Sequence, residues 1–371
     1  MFETKKKSKL QIAQAEAEYA VFKTNQKIEK LGKHTNDLYV QLTTIQELFD
    51  KIRNMPEDKK LEYEKLKEIR LRWKEQAEKI ERDYKATAGK AAGGGAAGVG
   101  VGVAVVALGP TAAMGVATTF GVASTGTAIS TLSGAAATNA ALAWLGGGAL
   151  AAGGGGMAAG QAFLALAGPV GWAIAGVALL GSGIAIFKAK HDKDHLENLF
   201  CLISKRDTKK YQLANVELDE RIKRIVQEGG LLSDAIQKIR TFGFDYRRMT
   251  EKQQYELGAY LNLMNASTQL LVNPIQGLQP AFTVEKIDKW IKEGRTWRID
   301  TSILVEHKEL IVLLANLVAG IEMDESDSHL LGKSLKHNKK FLSEVGIKKK
   351  DFDAKKLMDT VATLQKLEYL Y

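Results

Sequence analysis

Residues 28–52 read IEKLGKHTNDLYVQLTTIQELFDKI, and their apolar positions recur at alternating intervals of three and four residues. This is the a/d spacing of a helix that packs lengthwise against a partner helix. The positions are Ile28, Leu31, Thr35, Leu38, Leu42, Ile45, Phe49 and Ile52. The pattern predicts a long amphipathic helix over about residues 8–54, which ends where Pro56 interrupts it.

Two further stretches continue this pattern on either side of a very different segment. After Pro56, the acidic Glu57 and Asp58 favour a second helix to about residue 84, since negative charge stabilises a helix N-terminus. Its apolar stripe is predicted at Leu66, Ile69, Trp73 and Ile80. The junction permits either an antiparallel hairpin or one kinked rod. The same spacing returns at Leu218, Ile222, Ile225, Gly229, Leu232, Ile236 and Ile239. Together, the three apolar patterns predict a coiled-coil-like stalk of packed helices.

Between the stalk helices, residues 91–187 contain no Asp, Glu, Lys, Arg or His, and they hold 24 of the 35 glycines. The chain has a net charge of +9, and the basic excess lies mainly in the segments that flank this stretch. A basic balance suits either nucleic acid or an anionic membrane surface. Beside an uncharged stretch we expect a lipid bilayer as the partner, and we do not expect nucleic acid.

The uncharged stretch contains two candidate membrane spans, since a transmembrane helix needs about 20 apolar residues. The stronger one is residues 163–187, and the other is residues 91–108. Basic residues precede residues 91–108 and follow residues 163–187. This favours one or two hairpins whose outer ends both lie on the same side of the membrane. Small residues spaced by four let helices approach closely in lipid. The residues predicted to insert are Gly94, Gly98, Gly102, Phe163, Trp172, Leu179, Leu180, Ile184 and Phe187.

Residues 118–139 are more polar, with six threonines and three serines. Lipid does not satisfy hydroxyl groups, so in a spanning segment these side chains would face a partner helix or a water-filled lumen. Two alternatives stay open at this level. The stretch could be a core of small residues in a permanently soluble protein, or part of a constitutive multi-span protein. The long charged helices favour a form that shelters the stretch and later releases it.

The remaining residues, 243–371, are predicted to form a compact helical region. Thr250 and Gln253 form a capping box, Pro274 ends the following helix, and Thr283 caps another. One further helix is expected over residues 302–321. No alternating strand pattern occurs, so we predict an all-α fold. Its parts are amphipathic stalk helices (1–90), an uncharged candidate membrane region (91–187), a return helix (188–242) and a C-terminal helical domain (243–371).

His191 and His195 lie one helical turn apart, just beyond the uncharged stretch. This spacing can hold a metal, but no third ligand is evident, so no metal site is predicted. The pair is instead a candidate pH latch, since histidine titrates near pH 6.5. Gly332, Lys333 and Ser334 lack the earlier glycine of a phosphate-binding loop. We find no catalytic residues and no cofactor site, and we predict that the protein is not an enzyme.

Long helices that hold an apolar hairpin resemble the α-helical pore-forming toxins, and the glycine-spaced stretch is similar to glycine-zipper membrane proteins. The resemblance covers the architecture of about residues 8–240 and matches no family residue by residue. It implies a soluble form, a conformational change and a homo-oligomer, or an oligomer with related subunits, that perforates a bilayer as a toxin or as a cell-death or defence effector. A non-perforating coiled-coil scaffold on membranes is the alternative. The N-terminal segment lacks the apolar core of a signal peptide, so we expect a cytoplasmic protein, or one released by another route, that associates with membranes conditionally.

Overall fold

The computed structural model describes residues 8–93, 110–120, 187–296, 299–339, 342 and 347–370. Within these residues the chain is helical, and the only strand-like pairing is a single bridge between Arg53 and Asp245. The all-α prediction is confirmed. The helices are α1 (Lys9–Lys51), α2 (Glu57–Gly93), α3 (Pro110–Phe120), α4 (Lys190–Ile239), α5 (Glu251–Val272), α6 (Val284–Lys292), α7 (Thr301–Glu306), α8 (Lys308–Val318), α9 (Glu325–His337) and α10 (Ala354–Leu370).

Helix α1 begins at a capping box, in which Ser8 and Gln11 each satisfy a backbone N–H group of the other. Its apolar stripe is the one predicted from the spacing. All eight positions from Ile28 to Ile52 are buried, including Thr35. The helix ends at Lys51, where Ile52 is already extended. Because 43 residues rise by 1.5 Å each, α1 is about 65 Å long.

Helix α2 folds back along α1 as an antiparallel hairpin. The Tyr63 hydroxyl bonds to Asp50, the Arg70 guanidinium bonds to Gln46, and the Trp73 ring lies 5.4 Å from that of Tyr39. The partners on α1 thus run backwards as α2 runs forwards. This reversal decides between the hairpin and the kinked rod, and it brings the end of α2 back towards the start of α1.

Of the positions predicted for the α2 stripe, Leu66 and Trp73 are buried, and the Ile80 side chain lies outside the described part of the structure. The buried stripe includes Tyr63, Leu66, Arg70, Trp73 and Ala77. Arg70 is only 2% exposed, whereas Ile69, which the apolar pattern favoured, is only half buried. The buried side of α2 therefore follows the three–four spacing that includes Tyr63 and Trp73. This spacing places Arg70 on the buried side.

Helix α4 lies parallel to α1 along most of its length. The Lys27 ammonium pairs with Asp219, and the glycine at 229 faces the side chain of Gln41. The loops beyond both helices are joined where the Arg53 N–H donates to the Phe244 carbonyl at 2.9 Å. All seven predicted positions of the α4 stripe from Leu218 to Ile239 are buried. The parallel pair of α1 and α4 forms the centre of the stalk.

Two hydrophobic clusters divide the described residues. The stalk cluster joins α1, α2, α3, the second part of α4 and α5. The C-terminal cluster joins α6 to α10 with Leu10, Phe187 and the first turns of α4. Helix α5 thus packs on the stalk, and α4 passes through both clusters. The helix expected over residues 302–321 is divided at His307 into α7 and α8, because His307 leaves helical geometry.

Candidate functional site

Helix α3 is a described part of the uncharged stretch, and it is buried in the stalk. Proline fits its first position, since no hydrogen bond from that N–H is needed there. The helix lies against α1, α2 and α5. Among its residues whose side chains are described, the buried ones are Ala113, Met114, Gly115, Ala117, Thr118 and Thr119. The charged stalk helices thus remove this segment from water.

The crossing between α3 and α1 depends on Gly115. A Cβ atom added to Gly115 would lie 2.3 Å from the carbonyl oxygen of Ile28 and 3.1 Å from the backbone nitrogen of Gly32. Such distances are shorter than van der Waals contact, so only glycine fits without moving the helices apart. A small residue thus allows close helix packing here against the stalk, at a position that the predicted four-residue glycine spacing did not include.

Polar groups complete the docking of α3. The hydroxyl oxygens of Thr118 and Thr35 face each other at 3.4 Å between the two helices. The Thr119 hydroxyl donates to the Gly115 carbonyl at 2.7 Å, within the helix. The Thr119 carbonyl accepts from the Ile275 N–H at 2.7 Å. The buried end of α3 therefore has partners for its polar groups, as burial requires.

The last residue of the uncharged stretch, Phe187, packs in the C-terminal cluster. Phe187 is 2% exposed, and the Lys333 ammonium lies 5.3 Å from the centre of its ring. The first turns of α4, which follow directly, bury Leu196, Phe200 and Ile203 in the same cluster. Phe187 is thus the one predicted insertion residue whose position is described. Gly94, Gly98, Gly102, Phe163, Trp172, Leu179, Leu180 and Ile184 lie outside the described residues.

Among the described helices, none combines the length and the apolar character that crossing a membrane requires. This finding does not cover residues 121–186, which lie outside the described residues and contain most of the stronger candidate span. No protein family model matches the chain, and neither a curated protein nor a solved structure similar to it was found.

The two histidines of the candidate pH latch have different surroundings. His191 is exposed, and its ring centre lies 5.9 Å from that of His195. His195 is more enclosed, and its Nε2 lies 2.9 Å from the Asp327 Oδ1 on α9. This contact ties α4 to the C-terminal helices.

Asp324 joins His195 and Asp327 in a group whose possible ligand atoms lie within 4.8 Å of one another. Such a set could bind a divalent cation. The two carboxylates already form the capping box of α9: Asp324 accepts from the Asp327 N–H at 2.7 Å, and Asp327 accepts from the Asp324 N–H at 3.2 Å. The helix cap and the histidine contact account for the arrangement without an ion. The sequence did not indicate this group, because its carboxylates lie about 130 residues from His195.

Gly332 and Cys201 both lie in structural surroundings. Gly332 lies within α9, and a Cβ atom there would contact Met358 and Ala354 of the α10 region at 3.1 and 3.2 Å. It is a packing glycine between two helices. Cys201, the only cysteine of the chain, is partly buried against the C-terminal cluster.

Proposed function

We propose that this protein perforates membranes: a soluble form shelters the uncharged stretch, releases it, inserts it into a bilayer and oligomerises into a pore. A toxin and a cell-death or defence effector would both work in this way. The partners would be a lipid bilayer and further copies of the chain or related subunits. The protein would reside in the cytoplasm, or be released by another route, until it associates with a membrane.

The burial of α3 carries this proposal. An uncharged helix of small residues lies inside a frame of three charged helices, where its Ala, Met and Gly side is withdrawn from water. A sheltered segment of this kind is what a two-state protein needs before release. The frame also supplies Thr35 and Ile275 as partners for the polar groups of α3, so the segment can stay docked in water.

Release would require α3 to separate from α1, α2 and α5. The glycine crossing at Gly115 and Gly32 would then be free, and glycines that allow close helix contact could serve again between inserted helices. Lys188 and Lys190 follow the stretch directly, and both are exposed. They could bind the anionic surface of a membrane while the preceding residues insert.

A reversible disulfide between α3 and α1 tests this mechanism. The Thr35 and Thr118 hydroxyls already face each other, so Thr35→Cys/Thr118→Cys places two thiols where a disulfide can form. Cys201→Ser in the same chain prevents wrong pairing. The matched control carries Thr35→Cys and Cys201→Ser alone. Dye release and co-sedimentation are measured with liposomes of mixed zwitterionic and anionic lipid, before and after reduction.

We expect the oxidised double variant to be silent, and reduction to restore dye release, while the control leaks under both conditions. Equal leakage by the oxidised and reduced double variant would reject release of α3 as a step. Co-sedimentation without leakage in every sample would favour the non-perforating scaffold. Failure to bind liposomes at all would favour a soluble interaction protein.

A further inference from the structure

A buried carboxylate lies on α4 where the two hydrophobic clusters meet. Asp207 is 0% exposed, and it occupies a position of the α4 stripe between Ile203 and Tyr211. Ile203 belongs to the C-terminal cluster and Tyr211 to the stalk cluster. A charged group at an apolar stripe position opposes folding unless it is paired or neutralised. The junction between the clusters therefore contains a group that burial penalises.

Arg206 links Asp207 to the C-terminal helices. Its Nε and Nη2 atoms lie 3.0 and 2.9 Å from the same oxygen, Oδ1, of Asp207. Its guanidinium also donates to the carbonyl of Leu317, at 3.0 Å, and to that of Ala319. These carbonyls lie at the end of α8, where a helix lacks internal partners. One arginine of α4 thus caps a helix of the C-terminal cluster while it pairs with Asp207.

The second oxygen of Asp207, Oδ2, is buried and has no hydrogen-bond partner among the described residues. Lys210, one turn further along α4, donates to the Gln279 carbonyl at 2.8 Å, in the segment that leads from the stalk to α6. Within the described part of the chain, the charged or titratable groups that act on Asp207 are Arg206, Lys210 and Tyr211, all on α4. The elements that pack against α4 here contribute backbone carbonyls to Arg206 and Lys210.

Burial dominates the protonation of this group. It raises the pKa of Asp207 from 3.8 to about 7, although Arg206 and Lys210 act in the opposite direction. Burial also lowers the pKa of Lys210 to about 8, against the effect of Asp207. When the junction opens, both side chains become hydrated and regain their ordinary behaviour.

We propose that the docking of the C-terminal helices on α4 is proton-linked through Asp207, which holds a proton in the docked junction and loses it when the junction opens. The proton supplies a donor or removes the charge at the oxygen that otherwise has no partner. The consequence for pore formation rests on the proposed function: α4 follows Phe187 directly, so the docked C-terminal helices restrain the helix that leads out of the uncharged stretch.

The sign of the effect follows from linkage. The docked state binds the proton with a pKa of about 7 and the open state with the ordinary value of 3.8, so acid favours the docked state between these limits. This stabilisation is complete below the ordinary pKa and is lost as the pH rises through 7. Lys210 acts oppositely only near and above its lowered pKa. The junction is thus held in acid and loosened near neutrality.

The single thiol of the chain provides the test, because Cys201 lies on α4 against the C-terminal cluster. Its rate of labelling by a maleimide in native buffer, without lipid, reports opening of the junction. The parent is compared with Asp207→Asn at each pH, so that the change in thiolate fraction cancels. The matched control is Asp234→Asn, which changes an exposed aspartate of the same helix.

Between about pH 8 and pH 6, we expect the parent rate to fall on the order of tenfold relative to Asp207→Asn. The ratio of parent to Asp234→Asn should stay constant. A constant ratio to Asp207→Asn, or the same change in both ratios, would overturn the proposal. A second measurement on the parent is a carboxyl ¹³C titration, in which a midpoint of Asp207 near 4 in place of 7 would also overturn it.

Dye release from liposomes is measured on the same samples. If labelling follows the expected pH dependence but no variant perforates liposomes, the proton-linked junction stands and the proposed function fails. If liposomes leak but labelling does not respond to Asp207→Asn, the proposed function stands and the junction proposal fails.

Discussion

Replacing Gly115 by alanine tests whether α3 is held by close contact with α1. The new Cβ atom would lie 2.3 Å from the Ile28 carbonyl oxygen, and backbone atoms of Gly32 lie 3.1 and 3.2 Å away. Overpacking costs about 1–3 kcal/mol, and the upper end applies because backbone cannot rotate aside. Alanine returns about 1 kcal/mol through its helix propensity. The net loss of docking free energy is about 2 kcal/mol.

A loss of this size raises the ratio of undocked to docked α3 roughly 30-fold, since each 1.4 kcal/mol corresponds to a factor of ten. Hydrogen exchange can measure it at the Ile275 amide, which donates to the Thr119 carbonyl at the end of α3. We expect this amide to exchange faster in Gly115→Ala by about that factor, if exchange follows undocking.

The matched control is Gly230→Ala on α4, where no atom lies within 4 Å of the added Cβ. It should gain up to about 1 kcal/mol of stability from helix propensity and leave exchange at Ile275 no faster than in the parent. An exchange rate in Gly115→Ala equal to or slower than that of the parent would refute the tight crossing of α3 and α1.

Three further changes test the buried and paired charges. Arg206→Met removes the cation that opposes the raised pKa of Asp207, so urea unfolding should show a loss that grows as the pH rises above 7, towards about 3–5 kcal/mol, and Arg206→Met/Asp207→Asn should lack this growth with pH; the same pH dependence in both would contradict the pairing. Arg70→Met removes a guanidinium whose pKa burial lowers to about 10, so urea unfolding should show unchanged stability or a gain of about 1–3 kcal/mol, and a loss above about 3 kcal/mol would mean that Arg70 stabilises the stalk. In His191→Gln/His195→Gln the contact of the His195 imidazole with Asp327 is lost, so under the proposed function the dye release from liposomes should change differently between about pH 7.5 and pH 5 than that of the parent; an identical response would exclude the histidines as a latch.

Several features of the fold could be predicted because they depend on local order along the chain. The alternating three–four spacing of apolar residues requires a helix with one buried side, so the stripes of α1 and α4 followed from the sequence. Capping residues such as Thr250 and Thr283 lie within one turn of the groups that they satisfy, and both helix starts are confirmed. The charge-free composition of residues 91–187 likewise marks the candidate membrane region without knowledge of the fold.

The sequence also contained signals whose meaning only the tertiary structure decided. Arg70 and Asp207 occupy regular stripe positions of α2 and α4, but the apolar pattern indicated Ile69 in place of Arg70, and charge argued for exposure of both. The structure buries both, because neighbouring apolar positions hold each helix in register and Arg206 partly compensates Asp207. The carboxylates beside His195 could not be expected from spacing, because the fold brings them from a distant helix.

The sequence by itself determined a chain of amphipathic helices around an uncharged, glycine-rich stretch, because helical periodicity and the exclusion of charge are local properties. Only the tertiary structure decided that α2 folds back on α1, that α4 lies parallel to α1, and that α3 docks between the stalk helices. Each of these depends on contacts between distant residues, such as Gly115 with Gly32, whose free energy is gained only when the whole stalk assembles.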